Sequence, residues 1–358
     1  MTNRERFCRV FDFQKADRPP RWEAVAFWQE TTQEWVQAGT FPNGADPMAH
    51  YEFELRPTVT GGLGLTSMAL SGPPVGTRVV EDEGRTQVIE DDLGFVRRVR
   101  TDGPSMPQFL RFPVESRADW ERKIKPRLDP AAHDRSILDR EVAALPPGEH
   151  PIGFWAVGLY AFWRNFWGEE KLAFAFYDVP DVLHEMAAAW LRMHCECSPP
   201  IFERVRVDWT LFHEDMACKG GPLIGPKMFR QFMMPYYRDL FAHLRRCGQS
   251  RFVVDSDGYN GAVFDCFVEL GVRALYPFEV AAGNDTFEIR RQYPEVLIWG
   301  GIDKRVLLKG KEAVRREVMD KVPALWEKGG FIPSIDHAVP PCPQANFEYF
   351  LELVRGLF

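Results

Sequence analysis

The 358-residue chain lacks several features that would each assign it to a class at once. It has no apolar run approaching the roughly 18 residues of a membrane helix, so no membrane span is expected. It has no basic block and no Lys/Arg stripe. Its 44 Lys and Arg stand against 51 Asp and Glu, a formal charge of −7, and without clustered phosphate contacts nucleic acid is not an expected partner. No Gly-rich phosphate fingerprint follows any strand-like segment, so no nucleotide cofactor is expected; Gly61-Gly62-Leu63-Gly64 reads only as a loop. Cysteine is sparse: the seven residues are scattered and read as free thiols of a reducing compartment. The opening Met1-Thr2-Asn3-Arg4-Glu5-Arg6 leads into no apolar signal core, and the expected location is cytoplasmic. Cys195 and Cys197 lie beside His194, but in a helical pattern residues i and i+2 point apart, so no metal is assigned there.

Aromatic residues, by contrast, are plentiful. They make up 13% of the chain, with 28 Phe and 11 Trp, enough for a core and for a pocket that accepts a flat or apolar molecule. From residue 150 onward, strand-like runs alternate with helical ones. The strands fall at 152–157, 207–212, 251–254, 272–276, 296–299 and 331–334, and the helices include 178–205, 226–247, 262–270, 286–293, 311–328 and 343–357. Such alternation implies a parallel sheet covered by helices. Two further strands, at 22–27 and within 55–70, complete a (β/α)8 TIM barrel formed by one domain over residues 1–358. Residues 77–100 break the pattern: Val79-Val80, Gln87-Val88-Ile89 and Phe95-Val96 are separated by turn residues and predict an antiparallel ribbon, within an insertion at 77–150.

The chemistry-bearing residues follow the strands. His213-Glu214-Asp215, Asp255-Ser256-Asp257, Glu279, Asp303 and Asp336-His337 each come directly after one. Barrel strands end at one common mouth, so these acids are expected to converge in a single cavity. An acid in such a loop also serves well as a helix cap, and that structural role competes with function at each position. Crowded carboxylates raise one another's pKa, and a cluster of them persists more easily when it binds a cation or moves protons.

The same segments carry a family resemblance. Asp215-Met-Ala-Cys-Lys-Gly-Gly-Pro-Leu-Ile-Gly-Pro-Lys-Met-Phe, Pro235-Tyr-Tyr, Asp255-Ser-Asp-Gly, Gly300-Gly-Ile-Asp-Lys and Asp336-His-Ala-Val-Pro-Pro resemble the uroporphyrinogen decarboxylase superfamily. So do Arg164-Asn-Phe-Trp-Gly-Glu-Glu, Arg4-Glu-Arg-Phe and Asp17-Arg-Pro-Pro. The resemblance implies a barrel with its cavity at the C-terminal face, and it implies one of two activities. Decarboxylases of the family share paired N-terminal arginines that hold substrate carboxylates; here Arg21 is present, but the Gln-Ala-Gly-Arg run is not. Cobalamin-linked methyltransferases share a His-x-Cys-Gly and a later Cys that hold zinc; the matching positions here are Asp255-x-Asp257-Gly258 and His337.

The first reading is therefore a methyltransferase-like enzyme acting on a small methoxylated or aromatic substrate and passing methyl to a corrinoid protein. Asp255, Asp257, Glu279 and His337 would hold a divalent metal such as zinc, or share protons without one. His213, Glu214 and Asp215 are the expected acid–base groups, while Tyr160, Arg164, Asp303 and Asp336 line the substrate site. A homodimer is the other candidate assembly. The alternatives are a decarboxylase or lyase using the same acids without metal, and a non-enzymatic ligand-binding barrel. An acidic mouth disfavours a substrate with many carboxylates, since like charges ~4 Å apart cost about 4 kcal/mol at an effective dielectric of 20.

Overall fold

A computed structural model describes residues 1–73, 75–102 and 107–358. Positions 103–106 of the expected insertion lie outside the described residues. Seven parallel strands form the main sheet in the order Thr58–Val59, Gly153–Val157, Trp209–His213, Phe252–Asp255, Val272–Phe278, Leu297–Ile302 and Phe331–Ile335. Spatial order matches chain order, as in a (β/α)8 barrel, with helices such as Pro180–Cys197, Met234–Arg246, Gly261–Leu270 and Lys311–Glu327 in the connections.

The first stave departs from expectation. Residues 22–27 form no regular strand. They lie between the two edges of the sheet through single hydrogen bonds: Ile335 N–H donates to the Glu23 carbonyl (2.8 Å), Val339 N–H to that of Ala26 (2.9 Å), and Glu54 N–H to that of Arg21 (3.1 Å). Pro19 and Pro20 lead into this segment, and neither can donate to a ladder. The second stave falls within 55–70 as expected, as the two-residue strand Thr58–Val59. The ribbon is more extensive than the sequence indicates. Thr77–Asp82, Thr86–Asp91, Val96–Arg100 and Gln108–Arg111 form a four-stranded antiparallel sheet.

The strand sequences explain the layering. Parallel strands buried on both faces read as continuous apolar runs, and the two-residue pleat sorts their side chains. Phe154, Phe212, Val254, Leu275 and Ile298 pack outward under the helices, while Leu211, Val253, Ala274, Leu297 and Trp299 pack inward as a separate cluster. That inner cluster is closed from below by the helix Asn3–Phe11, whose Phe7, Val10 and Phe11 are spaced to share one face. Phe7 lies 5.0 Å from the Trp22 ring and 6.2 Å from those of Trp209 and Trp299. Arg6 ties the plug to Asp17 (2.8 Å) and Glu54 (3.0 Å). No helix among the described residues is long and apolar enough to cross a membrane.

Because Phe7 fills the lower barrel, Phe7→Ala should cost about 3–5 kcal/mol, read as a lower urea midpoint. An unchanged midpoint would show that the helix does not support the barrel.

Candidate active site

Register places the chemistry. Trp155, Leu211, Val253 and Ala274 are cross-strand neighbours on one inward row. Two residues further along, the same face carries His213, Asp255 and Tyr276, again in direct register. The interior thus changes from apolar to ionisable within one pleat. His213 Nδ1 lies 3.0 Å from Asp255 Oδ2. Burial works to lower the His213 pKa, but the bond to Asp255 and its charge leave it raised. Burial pushes the Asp255 carboxyl up, opposed by His213 and reinforced by Asp257 and Asp215.

A second pair forms one turn of chain away. His337 Nε2 lies 3.3 Å from Asp257 Oδ2. Asp257 raises the His337 pKa, and His337 in turn brings the Asp257 carboxyl below its ordinary range despite burial. The loop carrying Asp257 is fixed from behind. Gly258 sits at φ +81°, and a Cβ there would come within 2.8 Å of the Ala217 and Cys218 backbone. Glu279 braces the same loop, accepting from Gly258 N–H (2.9 Å) while pairing with Lys304 Nζ (2.8 Å). Ser256 accepts from Met216 N–H (3.1 Å) and joins the Asp257 loop to the preceding one.

Other expected site residues have structural partners. Glu214 is fully buried and turns into the wall, where it accepts from the amides of Leu159, Tyr160 and Ala161 and from the Tyr237 hydroxyl. It caps the helix Leu159–Trp167, whose own N-cap is Gly158 and has no side chain to offer. Gly158 is also required sterically, since a Cβ there would lie 2.4 Å from the Glu214 carboxyl carbon. Burial raises the Glu214 pKa to about 7 against these four donors. Tyr160 is buried at the start of the capped helix. Asp336 is fully buried and accepts from the amides of Ala281 (2.8 Å) and Lys304 (3.1 Å), with burial raising it to about 6. Asp303 caps the short helix Lys304–Leu308 and pairs with Arg305 (2.7 Å). Asp215 stays at the mouth with a positive φ of 41°, held by Arg164, which donates to both its carboxylate (2.7 Å) and its carbonyl (2.6 Å).

The four residues read as metal ligands do not meet as a set. Asp255 is committed to His213, Asp257 to His337, and Glu279 to Lys304 and Gly258. No group of three or more His, Cys, Asp or Glu among the described residues is arranged to hold a metal ion. The Lys304 ammonium supplies the charge beside Glu279 that an ion was expected to bring, so as placed these side chains do not fit a zinc set.

With this geometry in place, known proteins supply the context. Residues 213–357 match the family model for uroporphyrinogen decarboxylase. The chloroplastic uroporphyrinogen decarboxylase of Nicotiana tabacum is 23% identical over 198 residues, covering 54% of this chain and 47% of that protein. The C-terminal part of the chain, residues 213–357, is thus similar to the uroporphyrinogen decarboxylase family. The chain spans about half the length of the curated relative it matches. A methyltransferase from Methanosarcina mazei has a similar fold, at TM-score 0.58 and 15% identity, covering 100% of this chain and 99% of that chain.

In the barrel interior two further residues stand beside the paired groups without having been singled out from sequence. Tyr276 shares the row of Asp255, and its parity on the strand was the available signal. Arg56 reaches under the mouth, its guanidinium 5.8 Å from the Trp22 ring and 5.7 Å from that of Trp299, and donates to the Val25 carbonyl (2.7 Å). It precedes the weakly marked second strand, and nothing in its sequence context points inward.

Glu214 gives a pH test. Its folded pKa is raised from 4.5 to about 7, so its stabilising contribution is complete below 4.5 and is lost as pH rises through 7. Relative to Glu214→Gln, the wild type should lose on the order of 3 kcal/mol of unfolding free energy over that window. Parallel denaturation curves at each pH check it; a constant difference between the two proteins would contradict the buried cap.

Proposed function

We propose that this chain is an enzyme that removes a methyl group from the oxygen of a small methoxylated substrate, with a histidine at the mouth as proton donor. The observation that supports this reading is the presence of two imidazole–carboxylate pairs, His213–Asp255 and His337–Asp257, at one end of the barrel. Each carboxylate biases its partner toward imidazolium, the form that donates a proton. His213 is the better-placed donor, since it faces inward above the aromatic floor, 6.4 Å from the Trp155 ring.

In the proposed step the methyl–oxygen bond breaks and its electron pair stays on oxygen. The methyl group is taken by the electron pair of an external acceptor. The imidazolium proton moves to the oxygen, leaving a hydroxyl product and a neutral imidazole that regains its proton from solvent. Asp255 stabilises the imidazolium before transfer and fixes the ring that delivers it. His337–Asp257 is the second donor on the opposite side of the loop. A corrinoid-carrying protein is the proposed methyl acceptor, in keeping with the methyltransferase that shares the fold.

Substrate charge follows from the same groups. The carboxylates of Asp215, Asp255, Asp257 and Glu279 are each matched by Arg164, His213, His337 or Lys304. A neutral or singly charged molecule leaves these pairs intact, whereas a substrate with several carboxylates must break them.

Demethylation of small methoxybenzenes, followed as phenol release with reduced cobalamin as acceptor, should fall as pH rises past the raised histidine pKa values. His213→Asn should lower kcat by about 100- to 10,000-fold. Decarboxylation of uroporphyrinogen at an ordinary enzymatic rate, with no phenol released, would replace this reading with a decarboxylase.

A further inference from the structure

A large cavity lies beside the mouth rather than in it. It is a cleft of about 670 Å³ between the loop at 65–73, the antiparallel sheet and the helix Leu159–Trp167. A cleft of that size holds a molecule of some tens of atoms. Its charge is opposite to that of the chain. Four arginines, Arg97, Arg127, Arg140 and Arg164, line it against two aspartates, Asp91 and Asp134, in a protein of net charge −7.

Both aspartates are largely engaged by backbone. Asp91 accepts from the amides of Leu93 and Phe95 (3.0 Å each) and stands 4.0 Å from Arg97. Asp134 accepts from the Ser136 amide (3.0 Å) and hydroxyl (2.6 Å) and stands 3.8 Å from Arg140. The Arg97 Nε has no hydrogen-bond partner although it is buried. Arg127 donates to the carbonyls of Ser71 and Pro73 and makes no ion pair among the described residues. Arg164 is paired with Asp215 and stands 3.8 Å from Glu169, so the charge left without an acid partner in the cleft is that of Arg127, which attracts an anion.

The remaining wall is apolar. Phe95 and Phe109 of the sheet face it together with Leu65 and Met68 of the loop, and Phe109 is 43% exposed. An aromatic ring left open to water beside guanidinium groups fits a ligand that is apolar along its body and anionic at one end. Position adds a third argument. Arg164 lines the cleft while its guanidinium is held by Asp215 of the mouth. A neighbouring smaller cavity shares Leu65, Thr66, Ser67 and Ile137 with the cleft and extends to Trp155, which faces the barrel interior.

We propose that this cleft is a second ligand site, contiguous with the mouth, for an amphipathic organic anion: an aromatic or acyl body carrying a carboxylate or a phosphate. The antiparallel sheet supplies its outer wall, which gives that insertion a role in recognition. The site stands whichever bond the mouth breaks.

Calorimetric titration of the full chain with 6-phenylhexanoate, 6-phenylhexyl phosphate and neutral 6-phenylhexanamide tests it. One equivalent of an anionic probe should bind at least tenfold more tightly than the amide, and the tighter of the two anions identifies the head group. The double variant R97Q/R140Q should weaken anion binding at least tenfold, and Phe109→Ser should weaken all three probes. Circular dichroism verifies that each variant is folded; if the double variant is not, R140Q alone, at an exposed side chain, should still weaken the anions and spare the amide. His213→Asn should bind as the wild type does, which separates this site from the proton donor. Equal affinity for amide and anions, unchanged binding in R97Q/R140Q, loss of binding in His213→Asn, or no binding of any probe would each overturn the proposal.

Discussion

Parallel register holds His213 beside Asp255 and Asp255 beside Tyr276, and the pleat puts all three on the face that Leu211, Val253 and Ala274 occupy one step lower. Everything else in the mouth depends on that alignment. A slip of one residue on the strand Phe252–Asp255 would turn Asp255 under the helices and Val254 into the cavity. The aromatic layer below, with Trp22, Trp209 and Trp299 over Phe7, prevents such a slip by filling the lower barrel with side chains of fixed shape. Stability and chemistry thus occupy successive layers of one interior, and the plug at one end serves the site at the other.

The acids at the mouth are not a free cluster. Each that faces the cavity has a cation of its own, and those without one accept amide hydrogen bonds instead. The arrangement answers the repulsion that made a metal attractive from sequence. The Arg164 guanidinium, the Lys304 ammonium and two imidazoles whose pKa is raised are the matching groups, and the imidazoles can also give a proton away. In the basic cleft beside the mouth this matching is incomplete at Arg127, and charge complementarity there points outward to a ligand.

The repeating strands and helices after residue 150 were legible because parallel strands covered on both sides are short, apolar and regularly spaced, and here all but the first, 152–157, are punctuated by an acid. The first two staves were not. Residues 21–27 follow two prolines and join the sheet edges by isolated hydrogen bonds, and the second strand is two residues long. Neither leaves a periodic trace. At the site, sequence position located the loops but not the direction of their side chains. His213 and Glu214 are adjacent, yet one faces the cavity and the other caps a helix 55 residues away in sequence, a long-range partner that no local pattern encodes. Arg56 shows the converse. It lies outside every motif, yet its guanidinium reaches the rings of Trp22 and Trp299 in the interior.

Whether paired carboxylates hold the mouth histidines as proton donors is measured directly by an NMR titration of the imidazole side chains. His213 and His337 should both titrate above the ordinary value of 6.5. Asp255→Asn should lower the pKa of His213 while leaving His337 raised, and Asp257→Asn should do the reverse. Titration of both histidines at or below 6.5 in the wild type, or no response to loss of the partner carboxylate, would contradict the account.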